Sequence, residues 1–147
     1  MKRKSRKFET LGNLYWVLSH ACNQRCGHCY LSCSPGGEQL SFDELDRVVE
    51  NLPRRINYNI ILSGGELLHP TAKPLLFRAA HRLLSRYGRR QIALQTNGDF
   101  LTPETARECL DNNITHISVS SIDNYHTLGR FSSMRAKTEY FRGILAS

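Results

Sequence analysis

The segment that decides the fold is NLYWVLSHACNQRCGHC, residues 13–29, in which a short apolar run leads directly into three closely spaced cysteines. The apolar and aromatic residues at 13–18 are typical of a buried β-strand. Cys22, Cys26 and Cys29 follow this strand with the spacing C-x3-C-x2-C. A four-iron cluster normally takes four cysteine thiolates, so three thiolates leave one iron open to another ligand. We therefore predict an iron–sulfur cluster with an open iron after the first strand.

The pattern of strand, loop and helix occurs four times along the chain. Strands are predicted at 13–18, 59–62, 91–95 and 114–120. The first helix is predicted to begin directly after Ser41, which forms a capping box with Glu44. The other helices are predicted to begin at Pro74, after Thr102 and at Met134. Strands separated by helices form parallel sheets with right-handed crossovers. We therefore predict an α/β fold, a partial parallel (β/α) barrel of about four βα units.

Polar motifs follow each of the later strands. Ser63-Gly64-Gly65-Glu66 comes after the second, Thr96-Asn97-Gly98 after the third, and Ser118 to Asp123 (SVSSID) spans the end of the fourth. Proteins with parallel sheets bind their ligands at the carboxyl ends of the strands. All four motifs are therefore predicted to meet at one edge of the sheet.

These four motifs, in this order, resemble the radical S-adenosylmethionine (radical SAM) superfamily over residues 13 to about 126. The resemblance implies that Cys22, Cys26 and Cys29 bind a [4Fe-4S] cluster whose remaining iron chelates S-adenosylmethionine (AdoMet). It also implies an external one-electron reductant of the flavodoxin or ferredoxin type. Reductive cleavage of AdoMet would then give a 5′-deoxyadenosyl radical that abstracts a hydrogen atom from a substrate.

The resemblance further implies a set of residues that bind AdoMet. Glu66, with the backbone of Gly64 and Gly65, is expected to hold the methionine end. His28 occupies a position that is commonly aromatic in the family, and it is expected beside the adenine together with Tyr30. The residues expected to contact the ribose or the methionine are Thr96, Asn97, Ser120 and Asp123. No catalytic residue is assigned beyond the cluster. Two interpretations of His126 stay open, an acid or base on the substrate side and a solvent-exposed loop residue.

The family's barrel has more βα units than the four predicted here. We therefore expect residues 1–12 to be a basic flexible arm and residues 13–147 to be the N-terminal part of a radical SAM core, incomplete at its C-terminus. The anaerobic ribonucleotide reductase activases are similarly compact members of the family. Activation of a glycyl-radical partner enzyme is therefore an alternative function. The substrate of the main interpretation is unknown, and the processes considered for it are peptide maturation and cofactor biosynthesis.

The cysteines also allow a non-catalytic zinc or iron–sulfur module. Cys33, His20 or His28 would supply the fourth zinc ligand, but the chain has neither a second cysteine knuckle nor a late H-x3-5-H pair. Disulfides are not expected, because five cysteines are an odd number and no signal peptide precedes them. If Cys33 were a fourth cluster ligand, it would occupy the coordination position that AdoMet needs, so we expect Cys33 to be an ordinary loop thiol. We expect Cys109 to pack in the core.

Composition places further bounds on the function. The 147 residues are 40% hydrophobic and 22% charged, as in an ordinary globular domain. No stretch approaches the roughly 18 apolar residues of a membrane span, so a cytoplasmic protein without a membrane partner is expected. Residues 2–7 carry five of the charges that make the net charge +7, leaving 15 basic against 13 acidic groups beyond them. This favours a solvated arm over a surface for nucleic acid.

Overall fold

The computed structural model of the protein describes residues 9–120 and 128–146. Its strands are β1 (Thr10–Leu11), β2 (Leu14–Ser19), β3 (Arg55–Ile56), β4 (Ile60–Gly64), β5 (Ile92–Thr96) and β6 (His116–Val119). Its helices are α1 (Phe42–Asn51), α2 (Lys73–Tyr87), α3 (Pro103–Asp111) and α4 (Met134–Leu145). Asp123 and His126, and most of the expected N-terminal arm, lie outside the described residues.

The four longer strands form one parallel sheet in the order β2-β4-β5-β6. Leu14 of β2 pairs with Ile60 of β4, and Ile60 pairs in turn with Ile92 of β5. Each crossover between these four strands contains one helix, α1, α2 or α3 in turn. The predicted α/β fold with four parallel strands is confirmed. The short pair β1-β3 was not predicted, since each of its strands has two residues.

Local sequence signals set where the helices begin and end. Ser41 caps α1 and forms the predicted capping box with Glu44, so two backbone N–H groups at the helix start are satisfied. Pro74 lies in the first turn of α2, and Gly88 ends this helix with a positive φ of 71°. Thr102 caps α3 as predicted. These signals act within a few residues of one another, which is why the sequence alone locates the helix ends well.

The hydrophobic core lies between the sheet and its helices. Alternate strand residues, such as Ile60 and Leu62 of β4 and Ile92 and Leu94 of β5, are fully or almost fully buried against the helices. The intervening residues of each strand point to the opposite face of the sheet. In α2 the residues buried in this core are Leu75, Leu76, Ala79, Ala80 and Leu83. The sheet therefore has one apolar face in the core and one face that is free to hold polar groups.

Helix α4 packs over the turn that follows β5. Phe141 of α4 is 5% exposed, and its ring lies so close to Gly98 that a Cβ atom on this glycine would clash with it. Gly98 has a φ of 82°, which also favours glycine. The last described helix thus holds one of the loops at the carboxyl edge of the sheet. None of the described helices is long and apolar enough to cross a membrane.

Candidate functional site

A cavity of about 260 Å³ lies at the carboxyl ends of the parallel strands. Most residues that the sequence singles out lie in its wall, namely Cys22, Cys26, His28, Cys29, Tyr30, Gly64, Gly65, Thr96, Asn97 and Ser120. Residues without an assigned role also line it, namely Gln24, Leu31, Cys33, Ser63 and Gln95. The fold therefore brings four sequence motifs that are separated by up to about 100 residues in the chain to one site.

The cysteines are presented by one loop that is closed at its base. The N–H of Cys22 donates to Ser34 O at 3.0 Å, and the N–H of Ser34 donates to His20 O at 3.1 Å. Within the loop, the N–H of Cys29 donates to Cys26 O at 3.0 Å, which forms a turn between these two cysteines. All three thiols of the C-x3-C-x2-C motif consequently lie beside the same cavity.

The three thiols of the motif all line the cavity. In the described part of the chain, no group of three or more His, Cys, Asp or Glu side chains is placed to hold a single metal ion. Zinc takes four ligands around one ion, whereas each iron of an iron–sulfur cluster takes its own thiolate. The assignment of the three thiols to a cluster stays a prediction.

The thiols differ in how easily they become thiolates. Desolvation raises the pKa of Cys29, but the backbone N–H groups of Cys33, Leu31 and Ser32 outweigh this effect, so that its pKa lies below the usual value. Burial raises the pKa of Cys22, although the N–H of Gln24 opposes the shift. Burial and the neighbouring Cys29 raise the pKa of Cys33 to about 12. Cys33, which the sequence predicts to be an ordinary loop thiol, is buried at the cavity wall.

The glycines after β4 are required by contact with the cysteine loop. A Cβ atom on Gly64 would clash with the backbone of Ser19, and one on Gly65 would clash with Ala21 O. The N–H of Gly65 donates to Ser19 O at 2.7 Å, and the N–H of Glu66 donates to Ala21 O at 2.9 Å. The turn after β4 is thus held directly against the residues that lead into Cys22. Glycine allows the backbone to approach either another backbone segment or a ligand closely, and the sequence does not show which of the two applies.

Glu66 lies behind the cavity wall and is fully buried. Its carboxylate accepts hydrogen bonds from the N–H of Leu68 at 2.9 Å and the N–H of Asn97 at 2.8 Å. The hydroxyl of Thr96 lies 2.7 and 2.8 Å from the two carboxylate oxygens. Desolvation raises the pKa of Glu66, although these hydrogen bonds oppose the shift. The carboxylate ties the turn after β4 to the turn after β5, and its direct contact with AdoMet stays a prediction.

Asn97 links the turn after β5 to the cysteine loop. Its Nδ2 donates to Asn23 Oδ1 at 2.9 Å and lies 3.8 Å from Cys22 Sγ. Its Oδ1 accepts from the N–H of Asp99 at 2.9 Å. The hydroxyl of Ser120 donates to Thr96 O at 3.2 Å. The turn after β5 is therefore fixed by its own side chains on one side and by the cysteine loop on the other.

A polar network that was not predicted from the sequence joins side chains of β2, β4 and β5 to Tyr30. The hydroxyl of Tyr15 on β2 lies 2.8 Å from the hydroxyl of Tyr30 and 2.7 Å from Ser63 Oγ. It also donates to Gln95 Oε1, which accepts from Ser63 Oγ at 3.0 Å. The hydrogen bond with Tyr15 raises the pKa of Tyr30 to about 12. The available signal was the position of Ser63 and Gln95, polar residues that alternate with apolar ones within two strands.

Comparison with known proteins gives one matching family and several relatives. A family model described as the radical SAM superfamily matches residues 16–141. The chain is 34% identical over 111 residues to a protein of Methanosarcina barkeri named AdoMet-dependent heme synthase, covering 71% of this chain and 29% of that protein. It is 27% identical over 110 residues to the mycofactocin maturase MftC of Mycobacterium tuberculosis, covering 73% of this chain and 26% of that protein.

A third relative and a solved structure are also similar to the chain. The antilisterial bacteriocin subtilosin biosynthesis protein AlbA of Bacillus subtilis is 28% identical over 90 residues, which are 60% of this chain and 19% of that protein. The structure titled native anSMEcpe with bound AdoMet and Cp18Cys peptide has the same fold, with a TM-score of 0.55 and 18% identity over 92% of this chain and 41% of the other. The chain spans less than a third of the length of these curated relatives.

Proposed function

The chain belongs to the radical SAM superfamily, and from that premise we propose that its cavity is the site at which AdoMet is cleaved reductively at a [4Fe-4S] cluster. The observation that supports this most strongly is the meeting of three thiols, the Gly64-Gly65 turn and Asn97 at one cavity. These groups come from different strand ends, as expected for a site that binds a cluster and a second molecule together.

Cys22, Cys26 and Cys29 are the residues that would hold the cluster, since thiolates are the ligands that iron–sulfur clusters take. Glu66, with the backbone of Gly64 and Gly65, would hold the methionine end of AdoMet. The other AdoMet-binding residues that we propose are His28, Tyr30, Thr96, Asn97 and Ser120, all of which line the cavity. Asp123, which lies outside the described residues, completes this proposed set.

When bound, the reduced cluster supplies the electron that splits AdoMet and so yields the radical that abstracts hydrogen from a substrate. The protein's own residues bind and orient the reactants. Hydrogen bonds hold the cysteine loop and the glycine turn against each other, and the network around Tyr15 orients Tyr30 and Ser63. Such orientation matters, because a displacement of about 1 Å can lower a rate roughly a hundredfold. An external one-electron reductant of the flavodoxin or ferredoxin type is part of this proposal.

For the substrate we propose a peptide. Ser63 and Gln95 line the cavity, and with Tyr15 they present hydroxyl and amide groups of the kind that pair with peptide bonds. The Methanosarcina relative is named a heme synthase, and haem carries carboxylates. Among the described residues of the cavity wall, only His28 can provide a cation for them. The neutral polar wall therefore favours the peptide.

Anaerobic reconstitution tests the proposed function. The native chain should bind about four irons and four sulfides, and incubation with AdoMet and dithionite should release 5′-deoxyadenosine, measured by chromatography. The matched control is the variant Cys26→Ala, which should fail in both measurements. Binding of zinc without sulfide, or a reconstituted cluster that leaves AdoMet intact, would contradict the proposal. For the substrate, transfer of deuterium from fully deuterated peptides to 5′-deoxyadenosine is expected, and its absence across a peptide mixture would contradict the peptide assignment.

A further inference from the structure

The carboxylate of Asp99 connects the turn after β5 to the segment between the first two cysteines. Its Oδ2 accepts hydrogen bonds from Asn23 Nδ2 at 2.7 Å and from Gln24 Nε2 at 2.6 Å. The side chain of Asp99 is only 9% exposed. Its Oδ1 is buried, makes no hydrogen bond to a described residue, and lies 3.9 Å from Lys137 Nζ. Asp99 is thus a nearly buried anion with both loop amides on one oxygen and a cation beside the other.

Lys137 is a fully buried lysine on α4. Its ammonium group faces Asp99 and lies 5.7 Å from the centre of the Phe131 ring. A buried ammonium is costly unless it is paired with an anion. Gly129, with a φ of 58°, approaches Asp99 so closely that a Cβ atom would clash with the carboxylate. The chain before α4 and α4 itself therefore enclose Asp99 and balance its charge.

The two amides that Asp99 holds also contact the thiols of the motif. The backbone N–H of Gln24 donates to Cys22 Sγ at 3.4 Å, and the thiol of Cys26 donates to Gln24 Oε1 at 3.3 Å. Asn23 Oδ1 lies 3.9 Å from Cys22 Sγ. A continuous set of contacts therefore runs from α4 through Asp99 to the first two cysteines. Among the described residues, no cysteine of the motif contacts Asp99 directly.

We propose that Asp99, with its charge balanced by Lys137, is a positioning residue that holds the segment between Cys22 and Cys26 in the conformation that binds the cluster. This inference rests on the proposed function of the cysteine loop. A carboxylate only accepts hydrogen bonds, so it orients both amide groups with their NH2 groups towards it. The oxygen of Gln24 is thereby turned towards Cys26. Residues that orient metal ligands in this way strongly affect metal retention.

Two double variants that differ only in the hydrogen-bond acceptor test the proposal. Asp99→Asn with Lys137→Met retains an oxygen for Asn23 and Gln24, whereas Asp99→Ala with Lys137→Met does not. Both remove the buried anion together with the cation that faces it, so the two variants have the same change in charge. Iron release from the reconstituted protein to a chelator should be about tenfold faster in the alanine variant than in the asparagine variant. The EPR signal of the reduced cluster should change only in the alanine variant.

A second measurement needs no cluster. In the cluster-free chain, hydrogen exchange of peptides covering residues 22–26 should be about tenfold faster in the alanine variant than in the asparagine variant, because the segment loses its anchor. Equal exchange in the two variants would overturn the proposal. If the native chain binds no iron while exchange still differs, the proposed function fails and the positioning role of Asp99 stands.

Two further variants complete the experiment. Glu108→Gln removes a carboxylate bonded to Lys73 at 2.6 Å, far along the chain from the cysteine loop, and should leave iron release and exchange at 22–26 unchanged. If the alanine double variant does not fold, as judged by circular dichroism, Gln24→Ala removes one of the two hydrogen bonds to Asp99 from the side of the loop. Iron release from Gln24→Ala at the native rate would then overturn the proposal, and release about tenfold faster would support it.

Discussion

Replacing Glu66 with alanine should destabilise the chain even without cluster or AdoMet. The fully buried carboxylate accepts hydrogen bonds from the N–H groups of Leu68 and Asn97 and from the hydroxyl of Thr96. Alanine would leave three buried donors without an acceptor, at a cost of about 1–3 kcal/mol each. Removing a buried carboxylate also relieves its desolvation, which offsets part of this cost. We therefore expect the free energy of unfolding to fall by about 3 kcal/mol.

Urea denaturation of the cluster-free chain, followed by circular dichroism at neutral pH with reductant, measures this change. Glu139→Ala is the control, because Glu139 is an exposed partner of Arg135 within α4. The free energy of unfolding of this control should lie within about 0.5 kcal/mol of the native value. The free energy of unfolding of Glu66→Gln should lie between those of Glu66→Ala and Glu139→Ala. The glutamine amide retains one oxygen as an acceptor but presents its NH2 group to the donors on the other side.

The same variant separates two roles of Glu66. If Glu66→Ala unfolds within about 0.5 kcal/mol of the native chain, the carboxylate does not hold the two turns together, and the reasoning from its contacts is refuted. A variant of native stability that binds the cluster but loses the AdoMet-induced change in the EPR spectrum would instead establish direct contact with the methionine end. A loss of stability of the expected size, with weaker AdoMet binding as its consequence, would support the structural role.

Three other predictions concern the cysteines, a glycine and a surface carboxylate. Cys26→Ala should abolish assembly of a stable cluster, whereas Cys33→Ala should retain about four irons per chain; iron analysis decides, and an iron-loaded Cys26 variant would refute the ligand assignment. Gly65→Ala should lower the free energy of unfolding by about 1–3 kcal/mol and reduce iron uptake, because its Cβ would clash with the cysteine loop. Gly36→Ala is its control, since nothing lies within 4 Å of the added atom, and equal effects would contradict the packing argument. The hydrogen bond from Arg78 lowers the pKa of Asp46, so the ionised carboxylate stabilises the fold at neutral pH and this stabilisation is lost as the pH falls through the folded pKa of Asp46. Asp46→Asn should therefore melt at a lower temperature than the native chain at pH 7, and the two melting temperatures should converge below about pH 4. A difference in melting temperature that does not depend on pH would show that the carboxylate's charge is not the cause.

The sequence alone determined the architecture and the place of the site. Alternation of apolar strands with capped helices predicts a parallel sheet, because the signals that produce it act over a few residues. Each polar motif directly follows a strand, and the carboxyl ends of parallel strands necessarily lie at one edge. The predicted neighbourhood of Cys22, Gly64 and Asn97 follows from these two facts, and the structure places all three in one cavity wall. The assignments of Asp123 and His126 stay predictions.

Only the tertiary structure decided which way the side chains at this edge point and what they contact. The sequence predicts that Glu66 holds the methionine end of AdoMet, and only the structure shows that its carboxylate accepts hydrogen bonds from the N–H groups of Leu68 and Asn97. The pairing of Asp99 with Lys137 joins residues 38 positions apart in the sequence, and no periodicity relates them. Such contacts depend on how α4 packs over the turn after β5. Burial and charge pairing between distant segments are set by the summed packing of the whole chain, so short sequence patterns carry no signal for them.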